Sequence, residues 1–479
     1  MKKFLNIESE EKKMRKTTVI LGIMLLISSL SCTKTETADL AITNVTVIDM
    51  TSGPAQSGMT VLITATRISK IGKTKKTKLA GGVQIIDGSG KFLIPGLWEM
   101  YAHLGYYKDS WDLFIANGVT SLRVNLGFPD FHEWRKEISA GELIGPRMII
   151  GSRSADGRKP GRRESPANIN NEAEGRQFVR NEKKVGADFI KLGTYLSRDA
   201  YFAIIDEAKI QGIPFSGHVP LSVSAIEVSD AGQKSIDHDY CINIACSSKE
   251  EEFRKRLTEL VPELHARMKL YEEIDFSEQK AVELFARLVK NRTFVCPTLA
   301  VWSKITFRAK EEVANDPRLK FVPSWKADRW SQVALALEKG GLMATLKNNR
   351  QKALDIVGAM SRAGVELLAG TDNGTPYGIT GFSLHDELAM FVRAGLSPME
   401  ALRTATYNPA KFFGIQDSLG TIEQGKVADL VLLEANPLED IRNTQNIAAV
   451  VIGGKILKKA ELQDILTRVE AAAKKSKLE

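Results

Sequence analysis

The sequence predicts an α/β protein, a (β/α)8 TIM barrel carrying a small β-sandwich domain built from both ends of the chain. Three observations lead there: the two ends are β-rich, eight apolar β-branched runs alternate with helical-period stretches between them, and candidate ligands recur where those runs end.

From Leu40 to Ile94 short strands are broken by Gly and Lys turns, as in Ala41 to Ile48, Thr60 to Ile63 and Val83 to Ile86. The same texture returns after Thr421, in Ala428 to Leu433 and Ala448 to Ile452. Residues 40–94 and 418–460 are therefore expected to meet in one small sheet domain. In between, at 95–417, apolar runs begin near Phe92, Val119, Arg147, Asp188, Pro214, Ser235, Thr293 and Val365. Most precede helical-period stretches such as Glu172 to Lys184, Arg198 to Gln211 and Ser222 to Gly232. The charged segment from Lys249 to Arg292 exceeds an ordinary crossover and is expected to be a helical insertion near the barrel mouth, its charges to Lys269 forming a solvated face. Residues 461–479 form a charged helix or tail.

A chain of 479 residues accommodates two modules, one of them a large barrel, and 43% hydrophobic with 26% charged residues describes an ordinary globular body. Much of the net charge of +8 comes from the ends, at Lys2, Lys3, Lys12, Lys13, Arg15, Lys16, Lys474, Lys475 and Lys477. No basic stripe with interleaved aromatics is visible, which sets nucleic acid aside. Arg15 and Lys16, the apolar run Thr17 to Leu30, and Ser29-Leu30-Ser31-Cys32 resemble a bacterial lipoprotein signal, with translation starting at Met1 or Met14. On that reading 1–32 is the signal, Cys32 is lipidated, 33–39 is a linker, and the body is exported to the cell envelope on a membrane anchor; a plain secretory signal or uncleaved anchor is the alternative. Cys241, Cys246 and Cys296 are an odd set without metal-type spacing and are expected to be buried free thiols.

The chemistry lies at the strand ends. Strand one runs into Tyr101-Ala-His103, strand four into Lys191, strand five into His218, strand six into His238 and strand eight into Asp372. Barrel enzymes keep their sites at this face, and imidazole with carboxylate suits zinc or a neighbouring divalent ion. A single histidine is more often a structural residue, the reading given to His132 and His265. Five ligand-competent residues on five strand ends are expected to form a metal site.

These residues resemble the amidohydrolase superfamily, in its imidazolonepropionase-like and prolidase-like branch. The ending, with Thr404-Ala-Thr-Tyr-Asn-Pro-Ala410, Gly420-Thr-Ile-Glu-Gln-Gly-Lys-Val-Ala-Asp-Leu-Val431 and Asn436-Pro-Leu-Glu-Asp-Ile441, is similar to that family's, and the likeness spans about Leu40 to Leu457. The resemblance implies that His103 and Asp372 bind an inner metal, His218 and His238 an outer one, and a carboxylated Lys191 bridges them. It also implies that Asp372 is the general base toward a metal-activated water, in a hydrolase of C–N bonds using one or two ions, zinc foremost. Tyr195 and His385 are candidate substrate contacts. The expected partners are a small substrate (a dipeptide, an N-acyl amino acid or a cyclic amide), the membrane through the lipid and, left open, a second copy of the chain. The loop Ser152 to Asn168, rich in Arg and Gly, reads either as a carboxylate-holding loop or as a solvated lid.

One rim departs from that pattern. Tyr101 replaces the first histidine of His-x-His, Arg123 is followed by Val124 and Asn125 instead of Asp, and Glu99 stands where Asp is common. Tyr101 is read either as a metal or substrate ligand or as an aromatic filling a lost ligand's place. The alternative function is accordingly a catalytically impaired envelope lipoprotein of the same fold that binds a small molecule or partner.

Overall fold

The computed structural model describes residues 35–476 apart from 52, 105–107, 159–166, 261–263, 302 and 308–309. The leader and Cys32 lie outside the described residues, as do the side chain of His265 and residues 159–166 of the Arg-rich loop after Ser152. Among the described residues no helix is long and apolar enough to cross a membrane.

Seven parallel strands follow one another around the barrel in chain order: Leu97–Ala102, Val119–Val124, Arg147–Ala155, Phe189–Leu192, Phe215–Gly217, Ser235–Asp237 and Phe294–Cys296. The eighth position is filled by 365–369, which joins the two edges. Val295 N–H donates to Glu366 O and Leu368 N–H to Val295 O on one side, and Met100 N–H donates to Ala369 O on the other. Strands buried on both faces need continuous apolar runs, and the burial of all six residues in each of the first two strands meets that need.

The run near Phe92 divides in two. Phe92–Pro95 belongs to the small domain and Leu97–Ala102 starts the barrel. The break falls at Gly96, where a Cβ would lie 2.1 Å from Thr120 Oγ1, so only glycine lets the chain pass between the two sheets.

The small domain is one connected eight-stranded sheet containing Leu40–Val47, Gln56–Thr64, Arg67–Lys73, Gln84–Asp87 and Phe92–Pro95 from the first end and Leu430–Leu433, Ile447–Ile452 and Lys455–Lys458 from the second. Its edge at Ile68 exchanges hydrogen bonds with Gly425 and Lys426, the segment leading into the second-end strands. The sheet thus curls over a shared core that includes Ile42, Val61, Leu93, Leu432 and Val451. The final helix, Lys459–Lys475, packs Leu462, Ile465 and Val469 against Leu113 and Phe321.

The insertion has different limits from those expected. Glu250–Glu259 and Leu264–Glu273 are extra helices, whereas Glu278–Asn291 is the crossover helix leading into strand seven, lying against Ala225–Asp230. A second insertion follows strand seven: Ser303–Phe307, Lys310–Ala314, Pro317–Phe321 and Ser324–Lys339 precede the crossover helix Met343–Arg362. Its apolar side chains Ile305, Val313, Trp330 and Leu337 share a core with Met268 of the first insertion, so each insertion supplies part of the other's buried face.

Candidate functional site

The carboxyl-terminal ends of the strands gather the predicted residues around Tyr101. Its hydroxyl lies 3.1 Å from His218 Nε2 and 3.2 Å from His238 Nε2, and these two nitrogens lie 3.0 Å apart. The Lys191 ammonium sits 4.4 Å from the centre of the Tyr101 ring, and the His103 ring packs edge-on against it. His103 Nε2 in turn meets Asp372 Oδ1 at 2.9 Å. His103, Lys191, His218, His238 and Asp372 therefore do converge, with a phenol in their midst.

Each ligand-competent group is held from behind. His218 Nδ1 is bonded to Thr194 Oγ1 at 2.6 Å and His238 Nδ1 to Thr298 Oγ1 at 2.8 Å, so both Nε2 atoms face the Tyr101 hydroxyl. Second partners of this kind fix ring orientation at metal-binding histidines. Gly217, with φ of 143°, delivers His218: a Cβ there would lie 2.4 Å from Leu192 O. His238 itself has φ of 73° and Asp372 φ of 50°, a costly conformation for residues with side chains, held by the surrounding barrel. Glu99 Oε1 accepts from the Tyr101 and Thr371 N–H groups and Oε2 from the Thr371 hydroxyl, tying strand one to strand eight beneath the site.

A fully buried ion group forms the floor. Asp237 accepts from Lys191 Nζ at 2.9 Å and from Arg123 at 2.8 Å, and Arg123 reaches Ser235 Oγ as well. Burial pushes the Asp237 carboxyl up, but the Arg123 and Lys191 charges outweigh it and hold it well below the usual carboxylate range. Burial lowers the Lys191 amine and the His238 imidazole, and raises the Tyr101 phenol well above its ordinary value. Burial also pushes Glu99 up to about 7. At Asp372 the hydrogen bond and charge of His103, aided by His238 and Lys191, overcome burial and keep the carboxyl low. Asp372 is thus an anion within hydrogen-bond reach of the His103 imidazole.

Among the described residues no group of three or more His, Cys, Asp or Glu side chains closes around a point as a metal cage would. The donor set nevertheless suits one ion if the phenol is counted. Ligands about 2.0–2.1 Å from a tetrahedral zinc lie roughly 3.3 Å from one another, close to the 3.0–3.2 Å triangle of the two Nε2 atoms and the Tyr101 oxygen. Lys191 fits a bridging role less readily, because its amine is engaged by Asp237.

His385 is placed elsewhere. It is fully buried, with Nδ1 bonded to Thr444 Oγ1, where the helix Phe382–Arg393 meets the turn Ile441–Gln445, so its packing ties that helix to the returning chain. Tyr195 stays at the rim, its hydroxyl accepting from Arg267. His132 bonds Arg135 on its own helix, and Cys241, Cys246 and Cys296 are buried free thiols. The residues that sequence reasoning passed over are Thr194, Thr298, Asp237 and Arg267. The first three sit at the same strand-end height as the ligands, which is the signal that could have found them.

The Amidohydrolase family matches residues 113–457. An ochratoxinase from Aspergillus niger is 26% identical over 432 residues, covering 76% of this chain and 75% of that protein. Among solved structures, a bottromycin amidohydrolase superposes with a TM-score of 0.69 at 20% identity, covering 90% of each chain. A Xaa-Pro dipeptidase with methionine bound in its active site superposes at 0.62, with 20% identity, 88% of this chain and 99% of that one. The family match begins just after Tyr101 and His103 and spans barrel strands two to eight, with Lys191, His218, His238 and Asp372, and the returning strands of the small sheet; the chain belongs to the amidohydrolase family.

Proposed function

We propose that the chain is a metal-dependent hydrolase that cleaves a C–N bond, in an amide, peptide or cyclic amide, of a small substrate. The carrying observation is the triangle of His218 Nε2, His238 Nε2 and Tyr101 OH at 3.0–3.2 Å. Two imidazole nitrogens turned toward each other at that distance, each with its other nitrogen engaged by a threonine, call for a proton or a cation between them. The family is generally metal-dependent, and zinc is the ion that this donor set favours. When bound, the ion would lower the pKa of a water and polarise the amide carbonyl.

The remaining work belongs to the chain. Asp372, kept anionic by His103, accepts the proton of the attacking water and returns it to the leaving amine; His103 shares that proton through their 2.9 Å contact. Thr194 and Thr298 hold the imidazoles, and the Arg123–Asp237–Lys191 group fixes the floor beneath them. Burial lowers the Lys191 amine while Asp237 engages it, so Lys191 would join the ligands as a carbamate only if that pairing were given up, and one ion held by His218, His238 and Tyr101 is the stoichiometry this arrangement favours. Export and a lipid anchor at Cys32 complete the reading; labelling of cells with a radioactive fatty acid, abolished by Cys32→Ser, tests it.

The second reading is the catalytically impaired binding protein, favoured by the Tyr101 phenol standing among the histidines. Zinc-loaded protein offered a panel of N-acyl amino acids and Xaa-Pro dipeptides separates the two. Release of free amino acid that needs zinc and disappears in Asp372→Asn supports the hydrolase. No release from any substrate, with release gained in Tyr101→His, overturns it.

A further inference from the structure

We propose that Arg267, on the inserted helix Leu264–Glu273, anchors a carboxylate of the substrate. This rests on the hydrolase reading for its purpose, though the site stands on its own geometry. Arg267 is partly buried and donates to Tyr195 OH and to Tyr271 OH, each at 3.1 Å. Among the described residues no carboxylate lies within ion-pair distance of it, whereas Arg123, Arg318 and Arg350, buried to a similar degree or more, each hold at least one. Phenols orient a guanidinium without neutralising it. A cation partly withdrawn from water with no counter-ion carries part of that desolvation cost, which an arriving anion offsets.

Its position ties it to the histidine pair. Tyr271 packs against Tyr240 with ring centres 5.9 Å apart, and Tyr240 stacks on His238 at 5.8 Å and 16°. Tyr195, the other phenol on Arg267, lies three residues beyond Leu192, the end of strand four, and packs with Tyr240 and Tyr271 around one apolar cluster, so both partners of Arg267 trace to the carboxyl-terminal end of the barrel. Two of the five guanidinium N–H groups are engaged by the phenols, and the rest form a fork suited to a planar carboxylate. A substrate whose amide sits at the histidines would thus place its acid group against the insertion, and the insertion rather than the barrel would set which acids fit.

The test uses the full-length protein, zinc-free and zinc-loaded, with N-acetyl amino acids and their carboxamides as probes in equilibrium titration. A charge-assisted fork favours at least one acid over its carboxamide by about 10- to 100-fold. Arg267→Met removes that preference and Arg267→Lys keeps part of it, with melting profiles showing that both variants fold. Equal binding of acids and carboxamides by the unaltered protein, no binding of any acid, or a preference that survives Arg267→Met overturns the anchor. The two readings fail separately: acid preference without turnover sinks the hydrolase and keeps the anchor, and turnover of carboxamides as efficient as that of acids does the reverse.

Discussion

The two halves of the site are built on opposite principles. At strands five and six, His218 and His238 are each backed by a threonine and turn their Nε2 atoms toward each other and the Tyr101 hydroxyl. At strands one and eight, the space that a histidine would leave open is filled by the Tyr101 ring, which touches His103, His218, His238 and Lys191. The retained half keeps its orienting partners, while the altered half substitutes bulk and a phenol oxygen for an imidazole. Keeping the ligands is therefore separate from keeping the cavity between them, and the chemistry depends on whether the phenol closes the site or joins it.

The sharpest way to break the retained half is to remove its floor. Arg123→Met leaves Asp237 buried with Lys191 as its one remaining cation and should cost about 3–5 kcal/mol, read as a lowered urea midpoint with an unchanged slope. A pH scan sharpens the contrast with a histidine outside the site. His385 is buried and its imidazole is lowered to about 4, so between about 6.5 and 4 the unfolded chain binds the proton and the folded chain does not. Stability should fall as pH drops through that window, by up to about 3 kcal/mol, and His385→Gln should flatten the slope. Smaller still is the loss of a backing hydroxyl. Thr194→Val should weaken zinc binding about 10- to 100-fold in a competition titration while leaving the melting temperature nearly unchanged.

Much of this was legible in the sequence because a parallel barrel leaves a strong record: doubly buried strands read as continuous apolar runs, and the residues ending them stand on one face. That logic picked out Lys191, His218, His238 and Asp372, which the fold brings together. Its reading of His385 did not foresee the bond to Thr444, because sequence position alone does not say which side of the helix after strand eight meets the returning chain. The division at Gly96 was hidden because two strands of different sheets share one apolar run, and the break depends on a contact with Thr120. The second insertion escaped notice because its short helices bury their apolar faces partly against Met268, a partner far away in sequence. Tyr101 was visible as a departure, but its central place among four other site residues is a property of the closed barrel.

The most direct test is the metal content of the purified full-length protein after equilibration with zinc and bicarbonate, compared with Tyr101→His and His218→Ala. About one tightly held ion per chain in the unaltered protein, lost in His218→Ala, is the predicted result. No ion in the unaltered protein, with one restored by Tyr101→His, would contradict the account and mark the phenol as a plug.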